Sequence, residues 1–99
     1  RTFADGMACR EPNPEALAYI RRGAARVLAL ADDEIADAVR LLYRATHNLA
    51  EGAGAAALAG LLKERGRMAD KRCGVILCGG NIDAPIMAEI LAGRTPAPF

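Results

Sequence analysis

Apolar residues recur at helical spacing in four stretches of the chain. The first begins at residues 13–15 (Asn-Pro-Glu), which supply an N-cap, a proline at the first helical position and an acid in the first turn. We expect this helix to end near Gly23. The second begins at Asp32, expected to act as N-cap, and its apolar positions predict a helix with one buried face to about Thr46.

The third stretch is residues 49–62, and its second part, residues 55–62, is apolar on every side and predicts a helix enclosed by other structure. We expect it to end at Gly66, a glycine in the C′ position. The fourth helix follows Asp83 as N-cap, and Gly93 ends it. His47 is interpreted as a residue at the end of the second helix rather than as a catalytic base.

Two short apolar runs, residues 26–30 and 73–77, separate these helices and predict buried strands. The resulting order is an α/β pattern, but two strands do not make a stable covered sheet. We therefore expect the carboxyl-terminal portion of an open sheet with covering helices, incomplete as a stand-alone domain. Residues 1–93 are assigned to this domain and residues 94–99 to a tail or linker, and residues 1–12 are predicted to form a surface loop.

The composition narrows the classes of partner. A net charge of +1, with 13 basic and 12 acidic residues and only two tyrosines and two phenylalanines, argues against binding to nucleic acid or to a membrane surface. Three cysteines without metal-type spacing and one histidine favour neither a metal site nor a disulfide scaffold. This use of cysteine favours a reducing, cytoplasmic location. No apolar run approaches the roughly 20 residues of a membrane span.

The candidate chemistry lies where the second predicted strand ends, in the loop Cys78-Gly79-Gly80-Asn81. In open α/β sheets, ligands bind at the carboxyl ends of strands, and glycines let the main chain approach a ligand closely. Glu51 is the only charged residue between Arg44 and Lys63. A favourable position at a helix N-terminus would explain it without a function.

Three segments resemble the threonine/serine dehydratase family in order and spacing: residues 2–6 (Thr-Phe-Ala-Asp-Gly), 51–55 (Glu-Gly-Ala-Gly-Ala) and 78–83 (Cys-Gly-Gly-Asn-Ile-Asp). Residues 27–35 are also similar. Members are pyridoxal-phosphate (PLP) enzymes of the tryptophan-synthase β-like fold, fold type II. The resemblance covers roughly residues 1–92 and implies that this chain is the carboxyl-terminal part of such a catalytic domain.

The resemblance implies PLP contacts at six positions. The family usually has serine before Gly-Gly-Asn, where its hydroxyl meets the pyridine nitrogen, and Cys78 occupies this place. A neutral thiol does not hold the ring nitrogen protonated as a carboxylate does, which favours β-elimination of a hydroxyl group. The implied cofactor-binding residues are Cys78, Gly79, Gly80, Asn81, Glu51 and Gly6, with Asp5 supporting the wall beside Gly6.

The family's Schiff-base lysine and glycine-rich phosphate cup have no counterpart here, since the contexts of Lys63 and Lys71 do not match. No catalytic residue is therefore expected in this chain, which should be inactive alone. We expect a fragment of a threonine/serine ammonia-lyase that converts L-threonine to 2-oxobutanoate and ammonia, or L-serine to pyruvate. Its partners would be the amino-acid substrate, the rest of its own catalytic domain and further copies in a homo-oligomer. Serine racemase, hydroxyaspartate dehydratase and a non-catalytic binding module remain alternatives.

Overall fold

The computed structural model of the protein describes residues 1–99, the whole chain. A single 3-10 turn, Asp5–Met7, precedes four helices: α1 (Pro14–Gly23), α2 (Asp32–Thr46), α3 (Gly52–Lys63) and α4 (Ala84–Leu91). The four helices predicted from apolar spacing are thus confirmed. None of them is both long enough and apolar enough to cross a bilayer.

The two predicted strands do not form, and the predicted sheet is not confirmed. Residues 26–30 and 73–77 have no regular secondary structure and make no backbone–backbone hydrogen bond. Val27 and Ile76 at their centres are 81% and 79% exposed. A strand depends on hydrogen bonds to a neighbouring strand, and these two segments are not paired with each other. An apolar run in the sequence predicts burial, but it does not show that a neighbouring strand is present to accept and donate the hydrogen bonds.

Helices α2, α3 and α4 pack around one small core, whose larger side chains are those of Ile35, Val39, Ile90, Phe3 and Met87. Where α2 meets α3 the core residues are mostly alanine, so the two backbones can approach closely. Only 14 of the 99 residues are buried, and the radius of gyration of 14.0 Å exceeds the roughly 13 Å of a compact domain of this length. Four of the 12 residues of α3 are buried, so its predicted enclosure is incomplete within this chain.

The helix ends agree only in part with those predicted from the sequence. Asn13 caps α1 as predicted, since its Oδ1 accepts hydrogen bonds from the amides of the second and third helical residues at 2.9 and 3.1 Å. Asp32 is not the N-cap of α2, because Ala31 occupies that position. Gly66 is not the end of α3 either. The helix stops at Lys63 with Glu64 as C-cap, and the positive φ in the following turns falls at Asp70.

Ion pairs attach the segment before α2 to the end of α3. The Arg26 guanidinium is bidentate on Glu64, with Nε 2.6 Å from Oε1. Lys63 Nζ donates to the Ala29 carbonyl at 2.8 Å and to Glu34 at 3.0 Å. These contacts hold an otherwise unpaired apolar segment in a defined position.

The last residues of the chain return to its beginning. Arg40 of α2 donates to the carbonyl of Ile90, at the end of α4, and to that of Arg94, at 2.8 and 3.1 Å. The Phe99 amide then donates to the Thr2 carbonyl at 3.4 Å. The two ends of the chain therefore lie beside each other and next to α4.

The N-terminus of α2 can be stabilised by one substitution. Glu34 accepts a hydrogen bond from the Ala31 amide at 2.8 Å, which is one half of a capping box. Serine at position 31 would supply the other half, so Ala31→Ser should raise the free energy of unfolding by about 1 kcal/mol. Ala45→Ser, exposed near the other end of α2, is the control and should lower stability slightly. Thermal unfolding measures both, and equal effects would contradict the capping account.

Acid should weaken the fold through Glu64. The hydrogen bond from Arg26 holds the pKa of Glu64 below its ordinary value of 4.5. A carboxylate with a lowered pKa contributes stability above its unfolded pKa and loses it as pH falls through the folded value. We expect Glu64→Gln to flatten the loss of thermal stability below pH 4.5, while Glu11→Gln, which removes no ion pair, leaves that loss unchanged. Parallel curves for wild type and Glu64→Gln would contradict this assignment.

Candidate functional site

The N-terminus of α3 is where the segments singled out from the sequence meet. Glu51 occupies the N-cap position, and its amide donates to the Gly79 carbonyl at 3.1 Å. The Cys78 thiol lies against the first turn of the same helix, with Sγ 3.9 Å from the Ala53 carbonyl oxygen. The loop that starts at Cys78 is therefore seated directly on α3.

Glycine is required at this contact. A Cβ on Gly54 would lie 2.2 Å from the Gly79 carbonyl oxygen, and one on Gly80 would lie 2.6 Å from the Leu49 carbonyl oxygen. A Cβ on Gly79 would lie 2.0 Å from Oε1 of Glu51. Two of these obstacles are backbone atoms, which cannot turn aside as a side chain can. The close approach of the loop to α3 thus depends on missing side chains.

The N-terminal segment completes the arrangement. A Cβ on Gly52 would lie 2.8 Å from Cβ of Ala4, and one on Gly6 would lie 3.0 Å from Cβ of Ala53. Phe3 and Ala4 are 3% and 1% exposed. The prediction of a surface loop is therefore wrong for these two residues. An isolated apolar pair without periodicity gives no signal of burial.

A cavity of about 130 Å³ lies among the three segments. Asp5, Glu51 and Asn81 each contribute to its lining, one residue from each segment, and Phe3 and Phe99 add aromatic surface. Cys78, Gly79, Gly80 and Gly6 do not line this cavity. The predicted site residues therefore gather around one helix terminus, but only two of the six, Glu51 and Asn81, share the cavity.

Two contributions were not foreseen from the sequence. Phe99, in the segment predicted to be a tail or linker, lines the cavity. Asp32, expected to cap α2, accepts hydrogen bonds from the Thr2 hydroxyl and the Phe3 amide. Neither contact left a signal in the sequence, because each depends on how distant parts of the chain come together.

Neither lysine of the chain lies at the cavity. Lys63 is at the far end of α3 and engaged with Glu34, and Lys71 follows the turns after that helix. That neither lysine is the reactive lysine of the family stays a prediction.

Residues 1–79 match the model of a family described as pyridoxal-phosphate dependent enzyme. The chain belongs to this family, whose cofactor is PLP, and the resemblance inferred from the motifs is confirmed. The family match assigns the chain to the PLP-enzyme fold; the sheet itself is not confirmed by the four helices seen here.

Individual relatives are hydroxy-amino-acid lyases. The chain is 31% identical to an L-threonine ammonia-lyase of Thermotoga maritima and 36% identical to one of Geobacter sulfurreducens, each over 91% of its length. It is 26% identical to an L-threo-3-hydroxyaspartate ammonia-lyase of Saccharomyces cerevisiae over 99% of its length. The chain spans 22% of each of the first two proteins and 30% of the third.

The donor set around α3 fits one side of PLP only. A thiol, a carboxylate and an amide can hydrogen-bond to the polar edge of a pyridine ring. Asp5, Glu51 and Asp83 all line the cavity and no cation does, which makes it unsuitable for a phosphate dianion. These residues therefore suit the pyridine ring of PLP and do not suit its phosphate group.

The glycine contact gives a stability test. Gly54→Ala should destabilise the protein by roughly 1–3 kcal/mol, because its methyl group collides with backbone. Gly23→Ala is the matched control: its Cβ meets nothing within 4 Å, so it should stabilise by about 0.4–1 kcal/mol. Chemical denaturation measures both, and equal stability of the two variants would contradict the close approach at α3.

Proposed function

We propose that this chain forms one wall of the active site of a PLP-dependent ammonia-lyase that acts on a β-hydroxy amino acid. The whole protein would convert L-threonine to 2-oxobutanoate and ammonia, or L-serine to pyruvate. The observation that supports this most is the meeting of three motif segments at the N-terminus of α3. The two threonine ammonia-lyases among the relatives support the substrate class.

Cys78 would contact the ring nitrogen. PLP, when bound, supplies an electron sink for negative charge that develops at the substrate Cα. A thiol is a weak donor and a weak acceptor, so Cys78 would orient the ring without holding a proton on its nitrogen as an aspartate would. The resulting sink is moderate and favours loss of the β-hydroxyl group over prolonged storage of the charge. The exposure of Cys78 leaves the thiol accessible to such a ring.

The other site residues would place and enclose the ring. Gly79 and Gly80 would bring the main chain of the loop close to it. Asn81 and Glu51, which line the cavity, would border it. Gly6 would lie beside the cofactor, with Asp5 behind it. These residues would bind the ring and exclude water from it. None of them is proposed to transfer the proton of the substrate Cα.

The remaining chemistry would come from the rest of the catalytic domain. A lysine there would hold PLP and move the proton of the substrate Cα, and a separate loop would bind the phosphate group. Exposed apolar residues such as Val27 and Ile76 support packing against further parts of the same domain. We further propose a homo-oligomer, and a cytoplasmic location in which the three exposed free cysteines stay reduced.

Serine racemase and hydroxyaspartate dehydratase are alternatives within the same family, and the yeast relative supports the second. A non-catalytic binding module with the same fold is the alternative from another class. Turnover separates these: L-serine racemisation, hydroxyaspartate elimination, threonine elimination or none, measured on the full-length protein with PLP.

Cys78→Asp in the full-length protein tests the role of the thiol. A carboxylate would hold the ring nitrogen protonated, so we expect kcat for L-threonine to fall at least about tenfold, with an altered absorbance spectrum of bound PLP. Cys78→Ser should keep most of the activity. Cys9→Asp, a control at another exposed cysteine, should leave both readouts unchanged. Unchanged threonine turnover in Cys78→Asp would exclude Cys78 as the partner of the ring nitrogen.

A further inference from the structure

Asp32 makes contacts that an ordinary residue in the first turn of a helix does not make. It is the first residue of α2 and half-buried. Its Oδ1 accepts a hydrogen bond from the Thr2 hydroxyl, and its Oδ2 accepts one from the Phe3 amide at 3.3 Å. The donors are 30 and 29 residues away in sequence. Asp32 therefore joins α2 to the segment that leads into the candidate site.

The Thr2 hydroxyl extends this connection by one residue. While it donates to Asp32, its oxygen accepts a hydrogen bond from the Ala4 amide at 3.1 Å. The Ala4 carbonyl in turn accepts from the Met7 amide at 2.9 Å, which closes the 3-10 turn that contains Asp5 and Gly6. A continuous series of hydrogen bonds thus runs from α2 to the wall of the site.

The wall rests against α3 at one point, where a Cβ on Gly6 would lie 3.0 Å from Cβ of Ala53. None of the residues Asp5–Met7 is buried, so the segment before them also contributes to their position. That segment also fits α3 closely, since a Cβ on Gly52 would lie 2.8 Å from Cβ of Ala4. A small displacement of Ala4 would therefore alter the contact with α3 and shift Asp5 at the cavity.

We propose that Asp32 is a positioning residue of the candidate site, whose carboxylate fixes Thr2–Ala4 and, through them, the wall formed by Asp5 and Gly6. Asp32 itself does not line the cavity and acts only through these residues. The inference rests on the proposed function, because the wall matters for binding only if PLP lies beside it.

The test compares Asp32→Ala with Asp33→Ala in the full-length protein. Each variant removes one carboxylate from the first turn of α2 and hence a similar interaction with the helix dipole. The side chain of Asp33 accepts only from the adjacent Glu34 amide, at 2.9 Å. Asp32→Ala should weaken PLP binding in a fluorescence titration roughly tenfold, the size of effect seen when a residue that orients a metal ligand is lost, and Asp33→Ala by less than about twofold. Hydrogen exchange of the Met7 amide should be faster in Asp32→Ala alone.

Thr2 provides a second pair of variants that leaves α2 unchanged, which keeps the test decisive if Asp32→Ala does not fold. Thr2→Val should weaken PLP binding and speed Met7 exchange as Asp32→Ala does. Thr2→Ser keeps the hydroxyl group and should retain the wild-type values of both. The proposal would be overturned if Asp32→Ala and Thr2→Val bound PLP as tightly as Asp33→Ala does. It would also be overturned if the Met7 amide exchanged faster in these two variants without any loss of PLP affinity. A wild-type protein that binds no PLP would instead refute the proposed function.

Discussion

The close contact between the first turn of α3 and the loop at residues 78–80 is the constraint on which the rest of the site depends. The Glu51 amide donates to the Gly79 carbonyl, and Gly54 leaves the space that this carbonyl oxygen occupies. Because the loop and the helix touch through backbone atoms, the rotation of a side chain cannot relieve a clash at this contact. The position of the loop, and with it that of the Cys78 thiol, is therefore fixed by α3 rather than by the irregular segment that precedes the loop.

The same helix, α3, also contributes to the core. Ala55 and Ala59 of α3 are buried against α2, and α2 in turn contributes Ile35 and Val39. Asp32, at the start of α2, then fastens the N-terminal segment over Gly52. Core packing and site geometry are thus connected through the same two helices, so a change in how α2 meets α3 would also displace the wall of the site.

The positions of the helices were predictable from the sequence, whereas two of the helix ends and most of the non-local contacts were not. Helical periodicity and the Asn13 cap identified the four helices, because a helix forms its hydrogen bonds within one segment. Residues 26–30 and 73–77 looked like strands, yet a strand needs a neighbour that the sequence pattern does not name. The motifs indicated which residues gather at α3. The contacts of Asp32 and Phe99 depend on tertiary placement and left no such signal.

The central claim is that the loop beginning at Cys78, seated on α3, faces the ring of PLP in the complete enzyme. A crystal structure of the full-length protein with PLP tests it most directly. The account predicts that Cys78 Sγ lies within hydrogen-bonding distance of the pyridine nitrogen, with Gly79 and Gly80 beside the ring and the phosphate group bound by residues outside this chain. A ring nitrogen that contacts a different side chain, with the Cys78 thiol away from the cofactor, would contradict it.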